Sequence, residues 1–154
     1  MKEKILISGC FLGQKVRYNG KVKILQHTLI ERWHKEQRLV AVCPEVIGGL
    51  PVPRAPAEIQ GKKVITCEGL DVTQQFVAGA KQALALCERY SIRYALLKES
   101  SPSCGSNTIY DGTFNGKKIA GQGTCTQLLE QHGIQVFSEL TIDLLEKLIS
   151  KSNQ

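Results

Sequence analysis

Cys-x-x-Cys is missing from a chain that carries six cysteines in 154 residues. Its absence removes the zinc deaminases, which need a Pro-Cys-x-x-Cys segment beside a His/Cys-x-Glu segment. Long apolar runs are missing too: nothing approaches the roughly 20 residues that span a bilayer, so no membrane partner is expected. The start Lys2-Glu3-Lys4-Ile5-Leu6-Ile7-Ser8-Gly9-Cys10 ends like a lipoprotein cleavage site, but its apolar part is only Ile5-Leu6-Ile7. A secretory segment needs about seven such residues. The segment reads as a first β-strand running into a cysteine, and the protein is expected in the cytoplasm. Runs of one charge sign are also absent. Lys and Arg number 20 against 14 Asp and Glu, for a net charge of +6, but the basic residues are scattered as on a solvated surface, not gathered as in a nucleic-acid-binding tail. A basic groove for RNA or a nucleotide stays open as a second reading, because scattered charge can still converge in three dimensions. No internal repeat, low-complexity tract or linker divides the chain.

With 42% hydrophobic and 22% charged residues, residues 1–154 have the length and composition of one globular domain, able to bury a core without disulfide or metal staples. Six cysteines exceed what packing requires. An even number would suit three disulfides in an oxidising compartment. Without an export segment, clustered cysteines point instead to metal binding or catalysis under reducing conditions.

Four short, largely uninterrupted apolar runs at residues 5–7, 39–42, 94–97 and 134–137 are spaced widely enough for crossover helices, and predict buried parallel strands. Leu25, Leu29, Ile30 and Trp33 at helical spacing predict a first helix. Asp71 as cap, with Gln74 reaching back, opens a second that carries Phe76, Ala80, Ala83, Leu84 and Cys87 on one face and ends near Tyr90. A third is expected from Thr124 to a stop at Gly133, and a last over residues 141–150. Residues 57–67, with Gln60-Gly61-Lys62, and 108–120, with Asp111-Gly112 and Asn115-Gly116, predict hairpins. The expected fold is α/β: a single domain with a central parallel sheet of about four strands flanked by helices, plus short β-hairpin excursions.

Open parallel sheets bind ligands beyond the carboxyl ends of their strands. Cys10 follows the first predicted strand, Cys43 the second, and Cys104 lies in Ser100-Ser101-Pro102-Ser103-Cys104-Gly105 beyond the third. One cysteine at a strand end is as readily a small buried hydrophobe; three at successive ends, each beside a Gly or Pro, argue for a shared site. Cys87, on the apolar face of the second helix, reads as core, and Cys67 lies in a hairpin without ligand types around it. Cys125 is a spare candidate, since a helix N-terminus lowers a thiol's pKa. Three thiolates without a clear fourth fit either a zinc with an open position or an iron–sulfur cluster with one iron open. Soft ligation without histidine suits the cluster, and none of His27, His34 and His132 joins the set. Glu45, two residues after Cys43, is the carboxylate placed for proton transfer, against the blander roles of cap or surface ion pair. Ser101 and Ser103 flank Cys104 and can orient a substrate or water, against the blander role of turn formers. Cys10 followed by Arg17 also has the elements of a thiolate phosphatase, but the spacing is one residue too long and Cys43 and Cys104 would play no part.

The segments Ser8-Gly9-Cys10-Phe11-Leu12-Gly13, Val16-Arg17-Tyr18-Asn19-Gly20, Val42-Cys43-Pro44-Glu45 and Gly48-Gly49-Leu50-Pro51-Val52-Pro53-Arg54 lie along the first third of the chain. Asp71-Val72-Thr73, Leu97-Lys98-Glu99, Ser101-Pro102-Ser103-Cys104-Gly105, Ile109-Tyr110-Asp111-Gly112 and Val136-Phe137-Ser138-Glu139 follow. Together they resemble the bacterial thiouracil desulfurase family over nearly the whole length, with departures from its pattern at Gly9, Phe11 and Cys125. The resemblance implies a 4Fe-4S cluster held by Cys10, Cys43 and Cys104 with the fourth iron open. It implies non-redox, net hydrolytic removal of sulfur from 2-thiouracil or a related thiolated pyrimidine, giving the oxo base and sulfide. Glu45 and Ser101 are then the catalytic residues, and Ser103 and Ser8 the candidates for substrate contact. An RNA-derived thiouridine is a further candidate substrate, and a non-catalytic metal- or RNA-binding module is the alternative function.

Overall fold

The computed structural model describes residues 3–13 and 27–152. In chain order these form β1 (Ile5–Ser8), α1 (Thr28–Lys35), β2 (Leu39–Val42), α2 (Pro44–Ile47), β3 (Ala57–Gln60), β4 (Lys63–Thr66), α3 (Thr73–Tyr90), β5 (Tyr94–Leu96), β6 (Thr108–Tyr110), β7 (Lys118–Ala120), α4 (Thr124–Gln131), β8 (Gln135–Phe137) and α5 (Ile142–Ser152). The four apolar runs become one parallel sheet in the order β2-β1-β5-β8. Leu25 and the segment 16–20 lie outside the described residues.

Alternation along the strands builds a core on each face of this sheet. Leu6 and Ala95 turn toward Ala80, Ala83 and Cys87 of α3 and toward Cys125 and Leu129 of α4. Ile5, Ile7 and Leu96 turn the other way, onto Ile30 and Trp33 of α1 and Ile142, Leu145 and Ile149 of α5. Because both faces are covered, β1 is buried at every position, which is why it reads as a continuous apolar run. From β1 the chain moves outward to β2, while from β5 it moves to β8 on the opposite side. The carboxyl ends of β1 and β5 therefore flank the topological switch point, where open α/β sheets bind ligands.

Two features depart from the expected layout. Asp71 stands one residue before the cap of α3 and holds the helix start by accepting from the Thr73 N–H at 2.9 Å and its hydroxyl at 2.6 Å. The short helix α2 was not signalled by periodicity, since one turn has none. It is seated by backbone contact with α3: a Cβ on Gly79 would lie 1.8 Å from the Pro44 carbonyl oxygen, and one on Gly48 2.1 Å from that of Gln75. Only glycine permits that approach.

The hairpins β3–β4 and β6–β7 occur as expected and are pinned to each other. The buried Glu58 carboxylate accepts from the N–H groups of Gly112 at 2.9 Å and Phe114 at 3.2 Å, and Gln60 Nε2 donates to the Gly112 carbonyl at 2.8 Å. Among the described residues no helix is long and apolar enough to cross a membrane.

Candidate active site

A cavity of about 390 Å³ opens at the carboxyl edge of the sheet, and Cys10, Cys43 and Cys104 all line it. Cys104 is buried and the other two are half-buried, and none of the six cysteines is in a disulfide. Each is delivered by a distinct local device. Ser8 Oγ accepts the Lys98 N–H at 2.9 Å, tying the end of β1 to that of β5 and presenting Cys10 in the 3-10 turn Gly9–Leu12. Cys43 follows β2 and caps α2 immediately before Pro44, which occupies the first turn of that helix, where a missing N–H costs nothing. Cys104 rides on the loop after β5, whose close approach to Thr108 leaves no space for a Cβ at Gly105.

That loop is organised by Glu99, which is 6% exposed. Its Oε1 accepts from the backbone N–H groups of Ser100, Ser106, Asn107 and Thr108 at 3.0–3.1 Å, and its Oε2 from the Ser106 hydroxyl and the Asn107 side-chain amide. Burial raises the Glu99 pKa, but the Asn107, Thr108 and Ser100 N–H groups and the Ser106 hydroxyl together outweigh it and hold it at about 2. With the folded value depressed below the ordinary 4.5, the stabilisation is fully present above about pH 4.5 and is lost as pH falls toward 2. Glu99→Gln places an amide against the Asn107 amide and weakens four backbone bonds. It is expected to cost about 3 kcal/mol at pH 7, with the gap to the parent protein narrowing in urea melts at pH 3. Equal stability of the two at pH 7 would contradict this role.

Glu45, in the first turn of α2, points into the cavity beside the thiols. Arg54 grips its Oε1 through Nε and Nη2, each at 3.1 Å, and their side chains are only 7% and 15% exposed. Glu45 Oε2 accepts from the Ser103 hydroxyl at 3.1 Å and lies 3.5 Å from Ser101 Oγ. Ser101 and Ser103 Oγ are 3.0 Å apart. The expected set of Ser8, Cys10, Cys43, Glu45, Ser101, Ser103 and Cys104 thus gathers around one cavity. Arg17 lies outside the described residues.

Cys125 does not join them. A lowered thiol pKa at the start of α4 is the opposite of what its surroundings impose: burial, then the neighbouring Cys87 and Cys43, push it up to about 12. It is fully buried in the core behind Cys104, with Cys87, which burial and Glu88 raise to about 11. Burial also raises the Cys43 and Cys104 thiols. Sequence reading missed Arg54 and Glu99 as parts of the site, because an ion pair nine residues along and a hydrogen-bonding hub within a loop have no periodic signature. Lys98, Tyr110 and Lys118 were also missed as cavity residues. Lys98 Nζ pairs with Glu139 Oε2 at 2.8 Å, while Glu139 Oε1 accepts the Glu99 N–H at 2.8 Å.

The donor set discriminates between centres. Three sulfurs and no histidine line the cavity, yet among the described residues no three His, Cys, Asp or Glu side chains are close enough to hold a single metal ion. As a donor set, three soft sulfurs without histidine suit an iron–sulfur cluster.

The sequence model of the 2-thiouracil desulfurase family matches residues 5–141. YbbK of Bacillus subtilis (strain 168), described as uncharacterized, is 43% identical across 88% of this chain and 95% of its own length. The solved structure of a 4Fe-4S-dependent thiouracil desulfidase, TudS, matches with a TM-score of 0.95 and 54% identity, covering 97% of this chain and 99% of that one.

Proposed function

The chain belongs to the 2-thiouracil desulfurase family, and from that premise we propose that it is an enzyme that removes sulfur from 2-thiouracil or a related thiolated pyrimidine by net hydrolysis. The products are the oxo base and sulfide, and no electron donor is consumed. The observation that carries this reading is the meeting of three thiols and the Glu45–Ser103–Ser101 network on one cavity. In it, residues 1–154 act as one domain in the cytoplasm. A thiouridine released from RNA is a second candidate substrate.

Cys10, Cys43 and Cys104 would hold a 4Fe-4S cluster, with no fourth thiolate on the cavity. When bound, such a cluster supplies a sulfur-seeking Lewis acid that makes the carbon of a thiocarbonyl more electrophilic. The chain's own residues then supply position and proton transfer. Arg54 keeps one Glu45 oxygen fixed so that the other faces the serines. Glu45 is the general base, and Ser101, half-buried at the cavity wall, orients the attacking water. Ser8, engaged as acceptor by Lys98, keeps its own proton to donate toward a substrate.

Anaerobically reconstituted protein given 2-thiouracil is expected to release sulfide and uracil in equal amounts. A preparation with full cluster content that leaves every thiolated pyrimidine unchanged would overturn the assignment.

A further inference from the structure

Ser103 is 1% exposed, and at the cavity wall its hydroxyl stands in the middle of the hydrogen-bonded chain beside the thiols. Ser103 Oγ lies 3.0 Å from Ser101 Oγ and 3.1 Å from Glu45 Oε2, whereas the direct separation of Ser101 from Glu45 is 3.5 Å, at the limit of a hydrogen bond. The donor directions follow from counting protons. Ser101 Oγ accepts from the backbone N–H groups of Ser103 and Cys104, both at 3.2 Å. Those bonds occupy its two lone pairs and leave one proton to give, for which Ser103 Oγ is the nearer acceptor. Ser103 also has one proton, and within its reach are Cys104 Sγ at 3.4 Å and the Glu45 carboxylate. An ionised carboxylate is the stronger acceptor. The chain therefore points one way, from Ser101 through Ser103 to Glu45. Arg54 on the other carboxylate oxygen prevents Glu45 from swinging round to meet Ser101 directly.

We propose that Ser103 is a positioning residue that passes a proton from Ser101 to Glu45, so that Glu45 acts on the reacting water through Ser101. The proposal rests on the desulfurase reading. The Ser101 proton moves to Ser103 Oγ as the Ser103 proton moves to Glu45 Oε2. The Ser101 oxygen left behind keeps the electron pair, and the Ser103 and Cys104 N–H groups stabilise its charge. It then takes a proton from water as that water's oxygen bonds to the thiocarbonyl carbon. The proton stored on Glu45 and the second proton of the water, left on the newly bound oxygen, both leave with the departing sulfur, so that one water converts C=S to C=O and hydrogen sulfide.

The test compares the reconstituted parent protein with Ser103→Ala and Ser103→Thr by iron and sulfide content, kcat, KM and the dependence of the single-turnover rate on deuterium fraction in the solvent. Ser103→Ala is expected to keep its cluster and its KM and to lose about 100-fold in kcat. The curved deuterium dependence of the parent should become linear, because fewer protons move together. Ser103→Thr, which restores the hydroxyl, is expected to recover most of the rate. A kcat for Ser103→Ala within threefold of the parent overturns the relay. So does a rise in KM at constant kcat, which marks a substrate contact, or a rate loss that merely follows loss of iron, which marks support of the Cys104 loop. If the parent protein itself releases no sulfide, the desulfurase reading fails instead.

Discussion

Single replacement of Cys10, Cys43 or Cys104 by Ala is expected to take anaerobically reconstituted protein from about four irons per chain to near none, with loss of its brown colour and of acid-labile sulfide. The effect is large because the cavity offers no substitute. No histidine lines it, and Cys125, behind Cys104, is fully buried in the apolar core. Two remaining thiolates would leave half the irons of a cluster without protein ligands in a cavity of about 390 Å³ that is open to solvent. Cys87→Ala provides the contrast: it removes a buried thiol from the face of α3, at a cost of about 1–2 kcal/mol in stability, and is expected to keep its iron. Iron analysis and the visible spectrum decide between these outcomes. Full cluster content in any of the three ligand variants, or its loss in Cys87→Ala, would overturn the ligand set.

Glu45→Gln is expected to keep the cluster and lower kcat by about 100- to 10,000-fold, the range of a lost general base. Glutamine retains the length of the side chain and an oxygen that can accept from Ser103, so the hydrogen-bonded frame survives while the capacity to hold a proton is gone. The change also leaves Arg54, 7% exposed, without its anion. A stability loss of about 3 kcal/mol should accompany the rate effect. Thermal melting and turnover, measured on samples of equal iron content, separate the two consequences. Turnover within tenfold of the parent protein would remove Glu45 from the chemistry, whereas a non-catalytic metal module would show no turnover in parent or variant.

How much of this was legible in the sequence depended on the range of the interaction behind each feature. Buried parallel strands declare themselves because both faces are covered, as at the central β1 and β5. The edge strands β2 and β8, expected to be buried, are only partly covered, yet they too stood out as short apolar runs. The α3 face with Phe76, Ala80, Ala83 and Cys87 declared itself by its spacing. Glycine and Asx-Gly turns located both hairpins, where Gly61 and Gly112 take positive φ. The three cysteines could be placed at strand ends because position along a parallel strand fixes which edge of the sheet a residue reaches.

Cys125 shows where that reasoning stops. Its place at a helix start argued for an acidic thiol, but full burial between α3, α4 and the sheet pushes its pKa up, not down. Helix polarity is a local property readable from sequence, whereas desolvation depends on everything packed around the sulfur. Arg54 and Glu99 were missed for the same reason. Residue order alone determined the elements other than the one-turn α2, their sense in the sheet and the set of chemically able side chains at its carboxyl edge. Tertiary structure alone decided that Arg54 closes on one oxygen of Glu45, that Ser103 rather than Ser101 is its nearer donor, and that Glu99 draws the Cys104 loop together. Those outcomes rest on hydrogen-bond distances of about 3 Å, which exist only once α2, the β5 loop and the two hairpins have packed against one another.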